Sequence, residues 1–302
     1  MSDLPLVSCV VISYNQAPWI EECLESVFAQ TYERCEILLI DDCSPDDTVQ
    51  RARDWLARTG NRAEVLVNPA NVGLCATLNR AVAACSGELV SIVAADDAWL
   101  PHKVAQQVEA MTAESPRPAL VYSDALIVDG EGQVLEESFL DWQLRARPAL
   151  SGDAFADLVP NNFIPAMATL FSRSDVLAVG GFDEALSYED WDMWLRLAKT
   201  GPVHHSAGVV ARYRRLPGSL ARTLGVQMHR DAYSIISKHL EDAPVPRERV
   251  ARRLGQIAKT LWAQGHPDAA PLLRDALRRT RLPSLVLPAL LASAGVPYPR
   301  RR

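Results

Sequence analysis

The sequence predicts an α/β fold built on a mostly parallel, Rossmann-like sheet flanked by helices, followed by a C-terminal helical extension. Three observations carry this expectation. Apolar runs of strand length at 6–12, 36–40 and 89–94 alternate with stretches of helical periodicity. Two of those runs end in paired carboxylates, Asp41-Asp42 and Asp96-Asp97. Beyond residue 224 the pattern turns helical over 226–240, 247–264 and 269–279.

The run from Leu6 to Ile12 is rich in β-branched residues and reads as the first strand. It ends in the polar turn Ser13-Tyr14-Asn15-Gln16-Ala17-Pro18. A helix over about 18–30 puts Ile20, Leu24, Val27 and Phe28 on one face. The second strand, 36–40, delivers Asp41 and Asp42, and a helix over 48–58 leads to a short strand at 64–67. The loop Asn68-Pro-Ala-Asn71-Val-Gly73 precedes a helix over 74–84. Ser86-Gly87 then turns the chain into the apolar run Leu89–Ala94, a strand buried on both faces that ends at Asp96 and Asp97.

Adjacent carboxylates repel, so their placement at a sheet edge has to be compensated. One reading is a divalent cation with a bound diphosphate, since hard oxygen ligands suit Mg²⁺ or Mn²⁺ and ligands of open α/β sheets sit at the carboxyl ends of strands. The other is a helix cap supplied by Asp96 ahead of Pro101. Two acidic strand ends, with Tyr14 at a third, favour a nucleotide-and-metal site. The strand end is expected to face solvent.

A helix over about 104–113 and a strand over 119–128 follow, then the turn Asp129-Gly-Glu-Gly132 and a hairpin return at 133–134. Residues 140–153 are weakly patterned and expected to form a mobile loop, and 163–171 reads as a strand. Ser174–Val179 is a short helix ended by Gly180-Gly181. In the helix that follows, Trp191, Trp194, Leu195 and Ala198 fall on one stripe, with Glu189 and Asp190 at its start. Asp190 is either an N-cap or a general base at the mouth of a pocket. Arg212-Tyr-Arg-Arg215-Leu-Pro-Gly-Ser219 reads as a basic loop, either solvated or reaching a diphosphate.

The 302 residues are 48% hydrophobic and 23% charged, ordinary values for a globular chain, and the net charge of −6 points away from nucleic acid. All six cysteines lie between Cys9 and Cys85 without C-x-x-C spacing, which speaks for buried thiols and against zinc or redox sites. Met-Ser-Asp-Leu-Pro lacks a basic n-region, and no apolar run reaches the ~18 residues of a transmembrane helix. A cytoplasmic protein is expected. Neither G-x-G-x-x-G nor a P-loop follows the first strand, so dinucleotide binding and nucleotidyl transfer lack their phosphate turn.

Together, residues 10–16 (VVISYNQ), 39–48 (LIDDCSPDDT), Asn71-Val-Gly73, Gly87-Glu88, Ala95-Asp96-Asp97, Gly180-Gly-Phe-Asp-Glu184 and Glu189-Asp-Trp-Asp192 resemble the family 2 glycosyltransferases, in order and across 6–220. The resemblance implies the GT-A fold and an inverting, metal-dependent enzyme that uses a nucleotide sugar. It implies a GT-A domain over 1–224, with a nucleotide-sugar half at 1–110 and an acceptor half at 111–224, before the extension at 225–302. Tyr14, Asn15, Asp42, Asn71, Asp96 and Arg214 become the expected donor contacts. Asp42 meets a pyrimidine N–H, so the donor is of the UDP or dTDP type. Asp97 and Asp96 become the ligands of Mn²⁺ or Mg²⁺, and Asp190 the base that deprotonates an acceptor hydroxyl on a glycan or lipid-linked glycan. Arg214 or Arg215 steadies the leaving diphosphate.

Three positions depart from the family pattern: Ala94 replaces the first Asp of the metal motif, Leu78 replaces an Arg before Asn79, and Leu216 replaces a His. The alternative from another class is a sugar-nucleotide-binding or scaffold protein that has lost turnover. The apolar segment 282–295, followed by Arg300-Arg301-Arg302, is too short to span a bilayer. Its readings are peripheral contact with the inner face of a membrane, packing on the catalytic domain, or a homodimer interface.

Overall fold

The computed structural model describes residues 4–144, 148–219, 224–240 and 247–298. The chain divides into two compact units. One comprises residues 1–154 with 163–219, the other 155–162 with 220–302. Arg300–Arg302 lie outside the described residues.

The first unit contains the strands β1 (Val7–Ser13), β2 (Cys35–Asp41), β3 (Glu64–Val67), β4 (Leu89–Ala94), β5 (Ala98–Trp99), β6 (Leu120–Val128), β7 (Val134–Glu136), β8 (Thr169–Ser172) and β9 (Val203–Arg214). Its helices are α1 (Ile20–Phe28), α2 (Thr48–Thr59), α3 (Leu74–Ala84), α4 (Lys103–Ala113), α5 (Phe139–Leu144), α7 (Arg173–Ala178) and α8 (Asp190–Ala198). The strands form one sheet in the order β3-β2-β1-β4-β8-β6-β9-β5, with β7 paired to β6. From β3 to β4 the pairing is parallel, as the apolar runs require when helices cover both faces. At β8 the sheet turns antiparallel, and β5 and β7 are antiparallel too, whereas β9 runs parallel to β6.

Register decides where the site falls. Ser13 pairs with Asp41, Asp41 with Val67, and Ile12 with Ala94, so four strands end on one line. Beneath it lies a core including Val11, Leu24, Leu39, Trp55, Val93 and Met111. At the opposite edge Gly87 has to be glycine: a Cβ there would stand 2.5 Å from Ser8 Oγ.

Three expectations change. Residues 140–153 contain α5. Residues 163–171 hold a 3₁₀ turn at Ala166–Ala168 before β8. The basic stretch at 212 is the end of a twelve-residue strand, β9, and not a loop. Its period of two is hidden by Gly208, which sits at φ 106°.

The second unit contains α6 (Phe155–Leu158), α9 (Val226–His239), α10 (Arg247–Ala263), α11 (Ala269–Thr280) and α12 (Val286–Ser293). Leu254, Ile257, Leu261 and Leu273 are buried in it. Pro288 falls at the third position of α12, where the backbone N–H has no helical partner to lose. No helix among the described residues is long and apolar enough to cross a membrane.

Candidate active site

The first acidic cluster at the sheet's carboxyl edge is built by the turns after β1 and β2. Asp41 is fully buried and structural, since its carboxylate accepts Ser13 Oγ at 2.7 Å, Ser44 N at 2.7 Å and Ser44 Oγ at 2.6 Å. Asp42 points elsewhere. Its Oδ1 accepts Asn68 Nδ2 at 2.8 Å and Val72 N at 2.9 Å, and its Oδ2 accepts Gly73 N at 2.9 Å. A carboxylate offers about four lone-pair sites, so one on Oδ2 stays open. The Asn71-Val-Gly73 motif thus acts through its backbone: Gly73, at φ 91°, lets two successive N–H groups face Asp42, while the Asn71 side chain is exposed. Tyr14 is exposed beside this turn, and Asn15 holds a left-handed conformation (φ 58°) with its N–H on Ser44 Oγ at 2.8 Å.

The acidic pair sits differently from the expectation. Asp97 is 5% exposed and does not face open solvent. Its Oδ1 accepts the backbone N–H of Arg214 at 2.7 Å. Burial pushes Asp96 up to about 6, with the Arg214 charge opposing it. Burial, and then the charge of Asp96, hold Asp97 well above the usual carboxylate range.

Arg214 is not free to meet a diphosphate. It is 2% exposed, and its guanidinium donates through Nε to Asp96 O (2.8 Å), through one NH₂ group to Asp129 O and Gly130 O (3.0 Å each), and through the other to Glu22 Oε2 (2.6 Å). It braces the acidic turn from behind. The neighbouring Arg215 has one buried guanidinium nitrogen without a hydrogen-bond partner, and its guanidinium lies 5.1 Å over the Trp142 ring.

Asp190 opens α8. The cap position is held by Glu189, so Asp190 is the first helical residue and not the N-cap; its Oδ1 accepts Trp191 N at 2.6 Å. Burial and the neighbouring Asp190 push Glu189 up to about 8. Tyr213 ties the two acidic regions together. Burial lifts its hydroxyl to about 12, and the charges of Asp97, Asp96 and Asp190 all act on it. One residue on β9 therefore feels carboxylates from β4's end and from α8.

Sequence reasoning missed Glu22, Tyr213 and the clamping role of Asn79. Asn79 of α3 clamps the loop ahead of α8: its Oδ1 accepts Phe182 N at 2.7 Å, and its Nδ2 donates to Phe182 O at 2.9 Å and Glu184 Oε1 at 2.8 Å. Gly181, at φ 74°, admits that amide, since a Cβ would stand 2.6 Å from Asn79 Oδ1. The matched glycine pair at 180–181 was the available signal.

A mostly parallel sheet whose carboxyl edge gathers acidic turns, extended by antiparallel strands, is the architecture of the GT-A fold. The model of glycosyl transferase family 2 matches residues 8–132. An uncharacterized glycosyltransferase of Rickettsia felis is 25% identical over 218 residues, covering 70% of this chain and 34% of its own. The chain thus spans about a third of that relative. Among solved structures, the mannosyltransferase PcManGT from Pyrobaculum calidifontis, in complex with GDP-Man and Mn²⁺, superposes with a TM-score of 0.66 at 21% identity, covering 97% of this chain and 81% of that one. TarS of S. aureus in complex with UDP gives a TM-score of 0.66 at 17% identity, covering 96% and 87%.

Proposed function

We propose that this protein is an inverting, metal-dependent glycosyltransferase that moves a sugar from a UDP- or dTDP-sugar to a hydroxyl of a glycan or lipid-linked glycan in polysaccharide or glycoconjugate synthesis. The observation that supports the reading is the acidic pair Asp96-Asp97, fixed by Arg214 at the carboxyl edge of the sheet inside the segment that the family 2 model matches. Asp42 and Tyr14 hold the base, with the open lone pair of Asp42 taking a ring N–H. Asn15 shapes that turn through its backbone, and Asn71 reaches the donor from its exposed loop. Arg215 takes the diphosphate role, because the Arg214 guanidinium is already bound to Asp96 O, Asp129 O, Gly130 O and Glu22.

The acidic pair fits a divalent cation. Among the described residues none donates a hydrogen bond to Asp97 Oδ2, and both carboxyls are lifted by burial that a dication would offset. Among the described residues no cluster of three His, Cys, Asp or Glu is placed to hold a metal. Two carboxylates suffice for Mg²⁺ or Mn²⁺ when a diphosphate and water supply the remaining ligands. Asp97 and Asp96 would hold it, and bound there it would offset the charge of the leaving diphosphate.

Asp190, anchored by Trp191 N–H, removes the acceptor proton as the hydroxyl attacks the anomeric carbon from the face opposite the diphosphate. The anomeric C–O bond to the diphosphate breaks as the new bond forms, so configuration inverts. Six free cysteines suit a reducing cytoplasm.

A panel of nucleotide sugars with and without Mn²⁺, read by thermal shift, tests donor and metal together, because a ligand of the native state raises stability by mass action. UDP- or dTDP-sugars should stabilise only with the metal. Ala94, in place of the first metal-motif Asp, favours the non-catalytic alternative. Metal-dependent hydrolysis of UDP-glucose or a similar donor separates the two.

A further inference from the structure

The second unit carries a surface that the transfer reaction does not use. Its last helix, α12, is pinned on its inner side. Leu285, just ahead of it, fills the gap left by Gly255 of α10, where a Cβ would stand 2.5 Å from Leu285 Cδ2, and Ala289 is buried. Beyond the helix, Trp262 Nε1 donates to Val296 O at 2.9 Å, and the Trp262 ring meets Tyr298 edge-on at 5.1 Å. The segment is therefore held as a fixed element.

Its outer side is apolar. Val286, Leu287 and Leu290 fall on one helical face and are exposed, both leucines at 63%. No charged residue occurs between Leu282 and Tyr298. A helix whose inner face is already packed normally presents polar groups outward.

Beside this face runs a basic stripe. Arg274 and Arg278 of α11, with Arg281 just past its end, are exposed at i, i+4 and i+7, and Arg274 NH1 donates to Ser293 Oγ of α12 at 3.1 Å. The acid within the stripe, Asp275, is committed to Arg278, Arg279 and Tyr233. Residues 247–298 hold nine Arg and Lys against three Asp and Glu, in a chain of 31 against 37. On the other side of the segment, Arg252 and Lys259 border a cavity of about 470 Å³.

We propose that this unit docks on an anionic lipid surface, with the outer face of α12 lying in the headgroup–acyl boundary and Arg274, Arg278 and Arg281 on the phosphates. Charge complementarity selects this occupant. A two-fold pair of chains would bring two arginine stripes together without an acidic counterpart. An anionic bilayer supplies the counter-charge and an apolar layer at once. Eight residues span about 12 Å, so α12 lies in the interface and does not cross it.

The test is flotation of the full chain with phosphatidylcholine vesicles, with or without phosphatidylglycerol. Wild type should bind the phosphatidylglycerol vesicles, release as salt is raised, and ignore phosphatidylcholine. Leu287→Glu with Leu290→Glu should lower partitioning by about 100-fold. Arg274→Gln with Arg278→Gln should lower it about tenfold, and this pair keeps the assay decisive if the leucine variant unfolds. Wild type that ignores anionic vesicles, or both variants binding like wild type, overturns the proposal. So does a wild-type dimer that the leucine changes dissociate without any effect on vesicles, which assigns the face to a second copy.

Discussion

The backbone N–H of Arg214 holds Asp97 Oδ1 at 2.7 Å while the same residue's guanidinium, behind the turn, holds Asp96 O at 2.8 Å. One residue of β9 thus fixes both members of the acidic pair. Its remaining bonds reach Glu22 and the 129–130 turn, so four segments meet on one side chain. Arg214→Met leaves Asp96 O without its donor and Glu22 without its cation, while Gly130 O keeps Trp19 Nε1 at 3.3 Å and Asp129 O keeps Gly132 N at 3.2 Å. Because Glu22 is half-exposed, most of the cost comes from Asp96 O, and a loss of about 1–3 kcal/mol in urea denaturation is expected. A variant as stable as wild type would show that the brace is dispensable.

The burial of Asp97 changes how its role has to be tested. Alanine would leave a hole and free the Arg214 N–H, mixing stability with binding. Asp97→Asn keeps Oδ1 as an acceptor and removes the charge. Metal-dependent donor binding should fall at least about 100-fold, the loss of a charged ligand at ~1.4 kcal/mol per tenfold. Calorimetric titration of a UDP-sugar with Mn²⁺ measures it, and normal binding would remove Asp97 from the metal site.

For the base, UDP and dTDP should compete with a labelled donor at least about tenfold better than GDP. A purine holds its ring N–H further from the ribose than a pyrimidine does, and Asp42 is fixed by three hydrogen bonds that prevent it from retreating. Asp42→Asn is the wrong probe on its own, since an amide NH₂ would face an N–H donor at a cost of about 1–3 kcal/mol. Equal competition by GDP would overturn the pyrimidine assignment.

Much of this was legible in the sequence because it is local. Unbroken apolar runs announced β1, β2 and β4, and acids at their ends announced the sheet edge. Arg214 was not legible. Its neighbours Arg212 and Arg215 make it look like part of a solvated run, and the groups that bury it are distant in sequence: Glu22, Asp96 and Asp129. The position of Asp42 just past its strand was legible, but the role of Asn71-Val-Gly73 as a backbone clamp on it depends on Gly73's positive φ. Lys103 was hidden for another reason: lysine on a helix reads as surface.

Lys103 is fully buried at the start of α4, donating to Ser91 Oγ and to Thr169 O at 2.8 Å, with Trp99 4.3 Å beneath its ammonium. Burial pulls it down to about 7. Unfolded, lysine keeps its proton to about 10.4, so between those values the unfolded chain binds the extra proton and stability rises with pH. Below pH 7 the group is charged in both states and adds no slope. Lys103→Met should therefore flatten the rise in urea midpoint between pH 7 and 9 relative to wild type. Parallel profiles would mean that the ammonium stays charged in the core.

Asp190 gives the sharpest test, because positioning and proton transfer come apart there. Its Oδ1 accepts Trp191 N at 2.6 Å, and the amide oxygen of Asn can do the same. Asp190→Asn should therefore keep the start of α8, because the hydrogen bond from Trp191 N is retained. As a base the amide is useless, so kcat should fall roughly 10²- to 10⁴-fold. Donor affinity should hold, since the residue acts on the acceptor, and slow donor hydrolysis should persist for the same reason. Near-normal transfer by the Asn variant would remove Asp190 from the mechanism. The structure then narrows the replacement: Asp192 is buried and paired with Arg196 Nε at 2.7 Å, whereas Glu189, pushed up to about 8, titrates where a base is useful. Glu189→Gln would be the next variant to assay.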